Sequence, residues 1–270
     1  MRMIRHLCLL FSLLAVVTSC HAQVQLPQGV QKLDLTVDSV SRSGFVYAPA
    51  SAKETPTPVV FVWHGHGGSA MQIGRSIAMY KLWPEAISVY LQGLNTPGQL
   101  TDPEGKKSGW QHGAGAEGDR DLKLFDAVMA HLKESYKVDT QRIFSTGHSN
   151  GGGFTYLLWQ TRPDILCALA PSAASIRLKD TPFKPKPCMH LAGTQDPLVK
   201  FEWQQLAITK IKEINQCSTE GTPWAKDCTL FPSKVGAPFI AFIHPGDHKF
   251  PDEAPPLIVK FFKEQAAAVK

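Results

Sequence analysis

The stretch RIFSTGHSNGGG, residues 142–153, joins a short apolar strand to a glycine-rich turn and the start of a helix. Its first five residues predict a buried strand, and residues 150–160 predict the helix. A turn this tight leaves no room for side chains two residues before and two residues after Ser149. Gly147 and Gly151 occupy those two positions. The sequence therefore predicts a serine presented at the end of a strand and at the N-terminus of a helix.

Ser149 in this setting is predicted to be a nucleophile. The pattern Gly-x-Ser-x-Gly predicts a nucleophilic serine when a strand precedes it and a helix follows it. The helix N-terminus contributes a positive dipole, which favours negative charge developing near the serine. Gly152 and Gly153 are expected to let the helix pack closely on its neighbours. The alternative is an ordinary surface serine on a glycine-rich turn.

The rest of the chain alternates predicted strands with predicted helices. Because such alternation builds a parallel sheet with helices on both faces, we expect an α/β fold in a single domain over residues 23–270. The hydrophobic content of 43% is sufficient for one sizeable core. A long loop is expected at residues 92–118. The other predicted strands are residues 33–37, 44–47, 59–63, 86–91, 166–170, 189–192 and 239–243, and the other predicted helices are residues 119–135, 202–214 and 254–268.

A serine hydroxyl needs a histidine to accept its proton and a carboxylate to orient that histidine. His248 lies in the loop after a predicted strand and is favoured over His244, which ends the strand. His190 lies inside an apolar strand and is expected in the core. Asp196 follows the strand at residues 189–192, at the sheet edge where catalytic groups collect. Its alternative role is to cap a helix.

Residues 64–68, His-Gly-His-Gly-Gly, follow another predicted strand. Glycines allow the backbone there to approach a reaction intermediate. We therefore expect the backbone N–H groups of His66 and Asn150 to form an oxyanion hole. His64 and His66 lack neighbouring carboxylates, so we expect neither a metal nor another cofactor.

Together these motifs resemble the α/β-hydrolases grouped as polyhydroxybutyrate depolymerase-like and feruloyl esterase-like proteins, over residues 57–265. The resemblance implies the α/β-hydrolase fold, with a mostly parallel central sheet and helices on both faces. It also implies that Ser149 is the nucleophile, Asp196 the acid and His248 the base of a serine carboxylesterase. The motifs that carry it are residues 64–68, 147–152, 193–196 and 246–251, supported by residues 90–94, 108–110 and 139–142.

The sequence departs from that family beside the site. His66 stands where the family often has Gly or Cys, and Lys249 and Phe250 change the loop that carries the histidine. The expected substrate is a small or oligomeric ester, which includes esters linked to polysaccharides. Trp110, His148 and Phe250 are candidates for the substrate pocket, although loop aromatics also serve to pin a loop to the body. The alternatives to a carboxylesterase are a serine peptidase, an acyltransferase and a catalytically silent binding protein.

Residues 1–22 have the layout of an export signal: Arg2 and Arg5, an apolar run, then small residues. Cleavage after Ser19 would leave Cys20 as a lipidated N-terminus, and cleavage after Ala22 would leave an ordinary one. We expect a secreted or periplasmic protein, whose only membrane attachment would be a lipid on Cys20. The formal charge of +5 falls to +3 without the two arginines, which is too mild to indicate nucleic-acid binding.

Four cysteines lie outside the signal. An even number of cysteines in an exported protein predicts disulfides. Cys217 and Cys228 bracket a polar loop and are expected to pair. Cys167 and Cys188 precede neighbouring strands and are either a second pair or two buried thiols.

Overall fold

A computed structural model describes residues 26–177 and 183–269. The predicted export signal, with Cys20 and both cleavage sites, lies outside these residues. The strands are β1 (Val30–Val37), β2 (Val40–Tyr47), β3 (Thr57–Trp63), β4 (Ile87–Leu91), β5 (Leu94–Asn95), β6 (Ser108–Gly109), β7 (Val138–His148), β8 (Ala168–Ser172), β9 (Cys188–Gly193), β10 (Thr222–Ala225), β11 (Cys228–Phe231) and β12 (Phe239–His244). The α-helices are α1 (Ala70–Ser76), α2 (Met79–Leu82), α3 (Arg120–Ser135), α4 (Asn150–Thr161), α5 (Phe201–Ile214) and α6 (Ala254–Ala268).

One sheet of ten strands organises the molecule, in the order β1-β2-β4-β3-β7-β8-β9-β12-β11-β10. The six strands from β4 to β12 in this order are parallel to their neighbours. Antiparallel strands extend the sheet at both edges. The mostly parallel sheet confirms the predicted fold class. The β10–β11 hairpin was not predicted, because residues 218–227, which contain β10, were interpreted as a polar loop, and β11 is only four residues long.

Helices cover the two faces of the sheet and complete two apolar layers. Side chains from α3, α4 and α5 pack on one face, and side chains from α1, α2 and α6 pack on the other. Strand β3 supplies both layers, since its alternate residues point to opposite faces. Phe61 and Trp63 lie in the first layer, and Val60 and Val62 in the second. The predicted helices at α3 to α6 are confirmed, whereas the short α1 and α2 were missed.

The structure corrects the predicted disulfides. All four cysteines in the described chain are free thiols. Cys188 and Cys217 belong to the layer that contains α3 to α5, whereas Cys167 and Cys228 belong to the opposite layer. Each predicted pair thus has its members on opposite faces of the sheet. A disulfide needs side chains that point toward each other, so neither pairing fits this fold.

The parallel arrangement places the carboxyl ends of β3, β7, β9 and β12 along one edge of the sheet. The loops that follow these four strands carry every residue proposed for the reaction. Over the part of the chain that the structure describes, no helix has the length and apolar character needed to cross a membrane.

Candidate active site

Ser149 sits on a strained turn between β7 and α4. Its backbone has φ 55° and ψ −117°, a region that non-glycine residues rarely adopt and that costs ~1–3 kcal/mol. A Cβ on Gly147 would lie 2.5 Å from the Gly151 carbonyl oxygen, and a Cβ on Gly151 would overlap the Trp63 carbonyl oxygen. Both glycines are therefore required where the sequence placed them. Gly153 differs from the expectation, because it lines the cavity rather than a packed contact.

His248 connects Ser149 to Asp196. The His248 Nε2 lies 2.9 Å from the Ser149 Oγ, and the His248 Nδ1 lies 2.8 Å from the Asp196 Oδ2. The carboxylate can only accept from Nδ1 when Nδ1 carries the proton, which leaves Nε2 free to accept the serine proton. The three side chains arrive from the ends of β7, β9 and β12, as the sequence predicted. His244 does not take part; its Nδ1 accepts from the Gly246 N–H at 3.1 Å.

The Asp196 carboxylate is held by several N–H groups besides His248. Its Oδ1 accepts from the backbone N–H groups of Leu198 and Val199, both at 2.9 Å, and its Oδ2 accepts from Gln204 Nε2 at 3.2 Å. The side chain is fully buried. Helix α5 begins only at Phe201, so Asp196 is not its N-cap. These donors fix the orientation of the carboxylate toward His248.

A second buried polar group lies behind the carboxylate, and sequence reasoning did not connect it to the site. The Tyr156 hydroxyl and His190 Nδ1 share a hydrogen bond of 2.6 Å, and the His190 ring also contacts Gln204. Burial lowers the pKa of His190 to about 3, so its imidazole is neutral. His190 lies in the apolar strand β9, as predicted. The sequence gives no indication that Gln204 contacts it. Tyr156 also lines the cavity, so this group links the cavity wall to Asp196.

The residues expected to form the oxyanion hole both line the cavity beside Ser149. The Asn150 side chain binds the backbone of Trp110 on both sides, accepting from its N–H at 2.6 Å and donating to its carbonyl at 3.0 Å. The His66 Nε2 donates to Asp102 Oδ2 at 3.0 Å. Both side chains thereby connect the sheet edge that carries Ser149 to the long loop at residues 92–118. Their backbone N–H groups remain the expected hydrogen-bond donors to the oxyanion.

The first histidine of the 64–68 stretch has a structural role. The His64 Nε2 accepts from the Gly93 N–H at 3.0 Å, and its Nδ1 donates to the Gly65 carbonyl at 2.8 Å. Burial lowers the pKa of His64, which keeps the ring neutral. Among the residues that the structure describes, no group of three or more His, Cys, Asp or Glu side chains could hold a metal ion.

The cavity above Ser149 has a volume of about 300 Å³. His148 lines it, as expected, with its ring centroid 5.0 Å from that of His248. Burial lowers the pKa of His148 to about 4, with the neighbouring His248 contributing in the same direction. His148 therefore stays neutral and places no positive charge beside the base. Trp203, exposed by 41%, stands at the mouth of the cavity.

Two of the expected pocket residues do not reach the cavity. Trp110 is fully buried, donates from Nε1 to the His64 carbonyl at 2.9 Å and stacks on Phe154 with ring centroids 5.5 Å apart. It anchors the long loop to the core. Phe250 packs edge-on against His148, with ring centroids 5.9 Å apart, and belongs to the apolar layer behind it. Neither residue touches the space where a substrate would bind.

No family model matches the chain. Among known proteins it is 27% identical to feruloyl esterase D of Neurospora crassa over 154 residues, which cover 52% of this chain and 48% of the relative. It is 24% identical to a bifunctional acetylxylan esterase/xylanase of Neocallimastix patriciarum over 105 residues, covering 38% of this chain and 16% of that protein. It is also 24% identical to a probable feruloyl esterase C of Aspergillus flavus, over 74% of this chain and 69% of the relative. The chain thus spans less than half of the length of the first two of these relatives.

Solved structures share the architecture at lower sequence identity. An acetyl xylan esterase from Aspergillus awamori superposes with a TM-score of 0.64 at 11% identity, covering 86% of this chain and 99% of that one. A carboxylesterase from Bacillus cereus superposes with a TM-score of 0.57 at 14% identity, covering 87% of this chain and 94% of that one. The chain therefore has the α/β-hydrolase fold, and the proteins it resembles in sequence are esterases of that type.

Proposed function

We propose that this protein hydrolyses carboxylic esters through an acyl-enzyme formed on Ser149. The observation that carries the proposal is the pair of contacts made by His248, 2.9 Å to the Ser149 Oγ and 2.8 Å to the Asp196 Oδ2, on a strained strand-to-helix turn. The similarity to feruloyl and acetylxylan esterases supports the same class of reaction.

In the first half of the reaction, His248 Nε2 takes the proton of the Ser149 hydroxyl as the Oγ attacks the ester carbonyl carbon. The carbonyl oxygen becomes an oxyanion, which the backbone N–H groups of His66 and Asn150 stabilise. Asp196 accepts from His248 Nδ1 and stabilises the imidazolium. The tetrahedral intermediate collapses, His248 returns the proton to the departing alcohol, and the acyl group stays on Ser149.

Water completes the cycle by the same steps. His248 removes a proton from a water molecule, whose oxygen attacks the acyl carbon, and Ser149 leaves with the proton that His248 returns. The neutral His148 matters here, because a second positive imidazole 5.0 Å away would oppose the formation of the His248 imidazolium. Every group that these steps require comes from the chain itself or from solvent.

The cavity size supports small esters as substrates. A volume of about 300 Å³ is at the lower end for a small-molecule site and suits a short acyl or aryl group. The open mouth would leave the rest of an oligomeric substrate in solvent, as in an ester attached to a polysaccharide.

We also propose that the protein is exported under the direction of residues 1–22, and that Cys20 is the lipid attachment site if cleavage occurs after Ser19.

The test is hydrolysis of p-nitrophenyl esters from acetyl to octanoyl, followed by methyl ferulate, with the purified protein and its Ser149→Ala variant. We expect turnover that falls by ~10⁴-fold or more in the variant, as when a serine nucleophile is removed elsewhere. Circular dichroism must show the variant folded. Equal turnover by both proteins would contradict the proposal, and absence of turnover by the parent would favour a peptidase, an acyltransferase or a silent binding protein.

A further inference from the structure

The described wall of the cavity carries a single permanent charge. Arg177 lines the cavity, and none of the Asp or Glu side chains in the described chain does so. The two carboxylates nearest the reaction are engaged elsewhere, because Asp196 lies behind His248 and Asp102 binds His66. The remaining polar groups in the described wall are histidines, amides and hydroxyls.

Arg177 has no hydrogen bond or ion pair with any residue in the described chain, in contrast to most of the other arginines there. Arg120, for example, donates to the Asn95 carbonyl and to Thr96. Arg177 is exposed overall, and partial burial of its guanidinium lowers its pKa. An exposed guanidinium at the cavity wall that has no ion pair with a described carboxylate can bind an anionic ligand without first giving up such a partner.

The facing group does not neutralise Arg177 either. His112 also lines the cavity, and its Nε2 donates to the Pro97 carbonyl at 3.0 Å. Burial lowers the pKa of His112, and the charge of Arg177 lowers it further. The imidazole is therefore neutral, and it is close enough to sense the guanidinium. Within the described residues, the cavity wall thus presents one cation beside neutral polar groups.

We propose that Arg177 forms an anion subsite, and that the preferred esters carry a carboxylate that pairs with this residue while Ser149 attacks the ester carbonyl. The planar guanidinium matches a carboxylate through two parallel N–H···O bonds. Suitable substrates are monoesters of dicarboxylic acids, or esters whose alcohol part bears a carboxylate. This inference rests on the proposed esterase function and adds the class of substrate.

The test compares matched charged and neutral esters. On the acyl side, p-nitrophenyl hemiglutarate is compared with p-nitrophenyl pentanoate; on the alcohol side, p-acetoxybenzoate is compared with p-acetoxybenzamide. The ratio of kcat/KM for the charged ester to kcat/KM for the neutral ester is measured in the parent, in Arg177→Gln and in Arg177→Lys. Arg75→Gln is the control, because it removes the same charge from an exposed position on α1.

We expect the ratio to favour the charged ester in at least one pair, and to fall about tenfold in Arg177→Gln, as for one charge-assisted contact that is partly screened by solvent. Arg177→Lys should retain part of the preference, and Arg75→Gln should retain all of it. Ratios unchanged within about twofold in Arg177→Gln, for both pairs, would overturn the inference. Neutral esters hydrolysed in a Ser149-dependent manner would still support the proposed function in that case.

Discussion

Replacing Gln204 with leucine tests whether the buried contacts behind Asp196 hold the catalytic carboxylate in place. The Gln204 side chain is fully buried, and its Nε2 donates to the Val199 carbonyl at 2.7 Å and to Asp196 Oδ2 at 3.2 Å. Leucine has a similar size but no donor. The variant therefore removes these two hydrogen bonds, together with the polar contact to the His190 ring, with little change in packing volume.

The expected cost follows from these two contacts. A neutral hydrogen bond to a buried carbonyl contributes ~1 kcal/mol, and one to a carboxylate contributes ~1.5–3 kcal/mol. The contact with Asp196 is longer than the usual charge-assisted distance, so its contribution belongs at the low end. We therefore expect the free energy of unfolding to fall by about 2.5 kcal/mol. We also expect kcat for p-nitrophenyl acetate to fall about tenfold, far less than the ~10⁴-fold loss when the carboxylate can no longer hold the histidine tautomer.

The assay is guanidinium denaturation of the parent and Gln204→Leu, together with ester kinetics on both. Gln205→Leu provides the control, because the neighbouring Gln205 is exposed on the same helix and its replacement should change stability by less than about 0.5 kcal/mol. The reasoning is refuted if Gln204→Leu matches Gln205→Leu in stability and in kcat. A loss of stability with unchanged kcat would show that the contact supports the fold without positioning the carboxylate.

Three further variants test other parts of the structure. Gly151→Ala should lose about 3 kcal/mol or more in thermal denaturation, because its Cβ would overlap two carbonyl oxygens, whereas Gly153→Ala should fold normally since nothing lies within 4 Å of that position. Arg42→Met should cost ~3 kcal/mol in urea unfolding, at the low end for a broken buried ion pair, because the fully buried Asp121 carboxylate loses its partner at 2.7 Å and retains the longer 3.8 Å ion pair with Arg120; a cost below about 1 kcal/mol would contradict this. Because burial lowers the pKa of His190 to about 3 from an ordinary value of 6.5, the unfolded chain binds a proton that the native protein excludes. The free energy of unfolding should therefore fall as the pH decreases from about 6.5, by up to ~1.4 kcal/mol per pH unit from this residue, and His190→Gln should show a shallower decrease in urea titrations at several pH values. Equal slopes would count against a neutral buried His190.

The catalytic edge could be predicted because its residues follow buried strands. In a parallel sheet the carboxyl ends of the strands share one edge, so Ser149, Asp196 and His248 had to come close together once the strands were identified. The glycines at positions 147, 151 and 152 were equally informative, since a side chain at any of them would collide with neighbouring atoms, whereas Gly153 has open space.

The pocket was harder to predict, because it depends on which way loop side chains point. Trp110 in a long loop suits a pocket wall and a core contact equally well, and only the folded loop shows that its indole turns inward. Phe250 follows His248 closely in sequence, yet its ring packs behind His148. Arg177 could not be identified because nothing in its surrounding sequence indicates that it reaches the cavity.

The disulfide pairing of the cysteines was also difficult to predict from sequence. Cys217 and Cys228 are close in sequence, but β11 enters the sheet and turns Cys228 to the face opposite Cys217. Sequence separation measures how easily two residues can meet, whereas the direction of the side chain decides whether they can bond. Side-chain direction is set by strand register, which was missed for β10 and β11 because residues 218–227, which contain β10, were interpreted as a polar loop and the four-residue β11 directly follows them.

The central claim is that Ser149 carries the acyl group during ester hydrolysis, and direct capture of that intermediate tests it most sharply. The purified protein is mixed with p-nitrophenyl acetate, quenched in acid during turnover, digested and examined by mass spectrometry. We expect an acetyl group on the Ser149 hydroxyl in the parent and its absence from Ser149→Ala. Turnover with no acetylated Ser149, or with the acetyl group on a different residue that is needed for activity, would contradict the account.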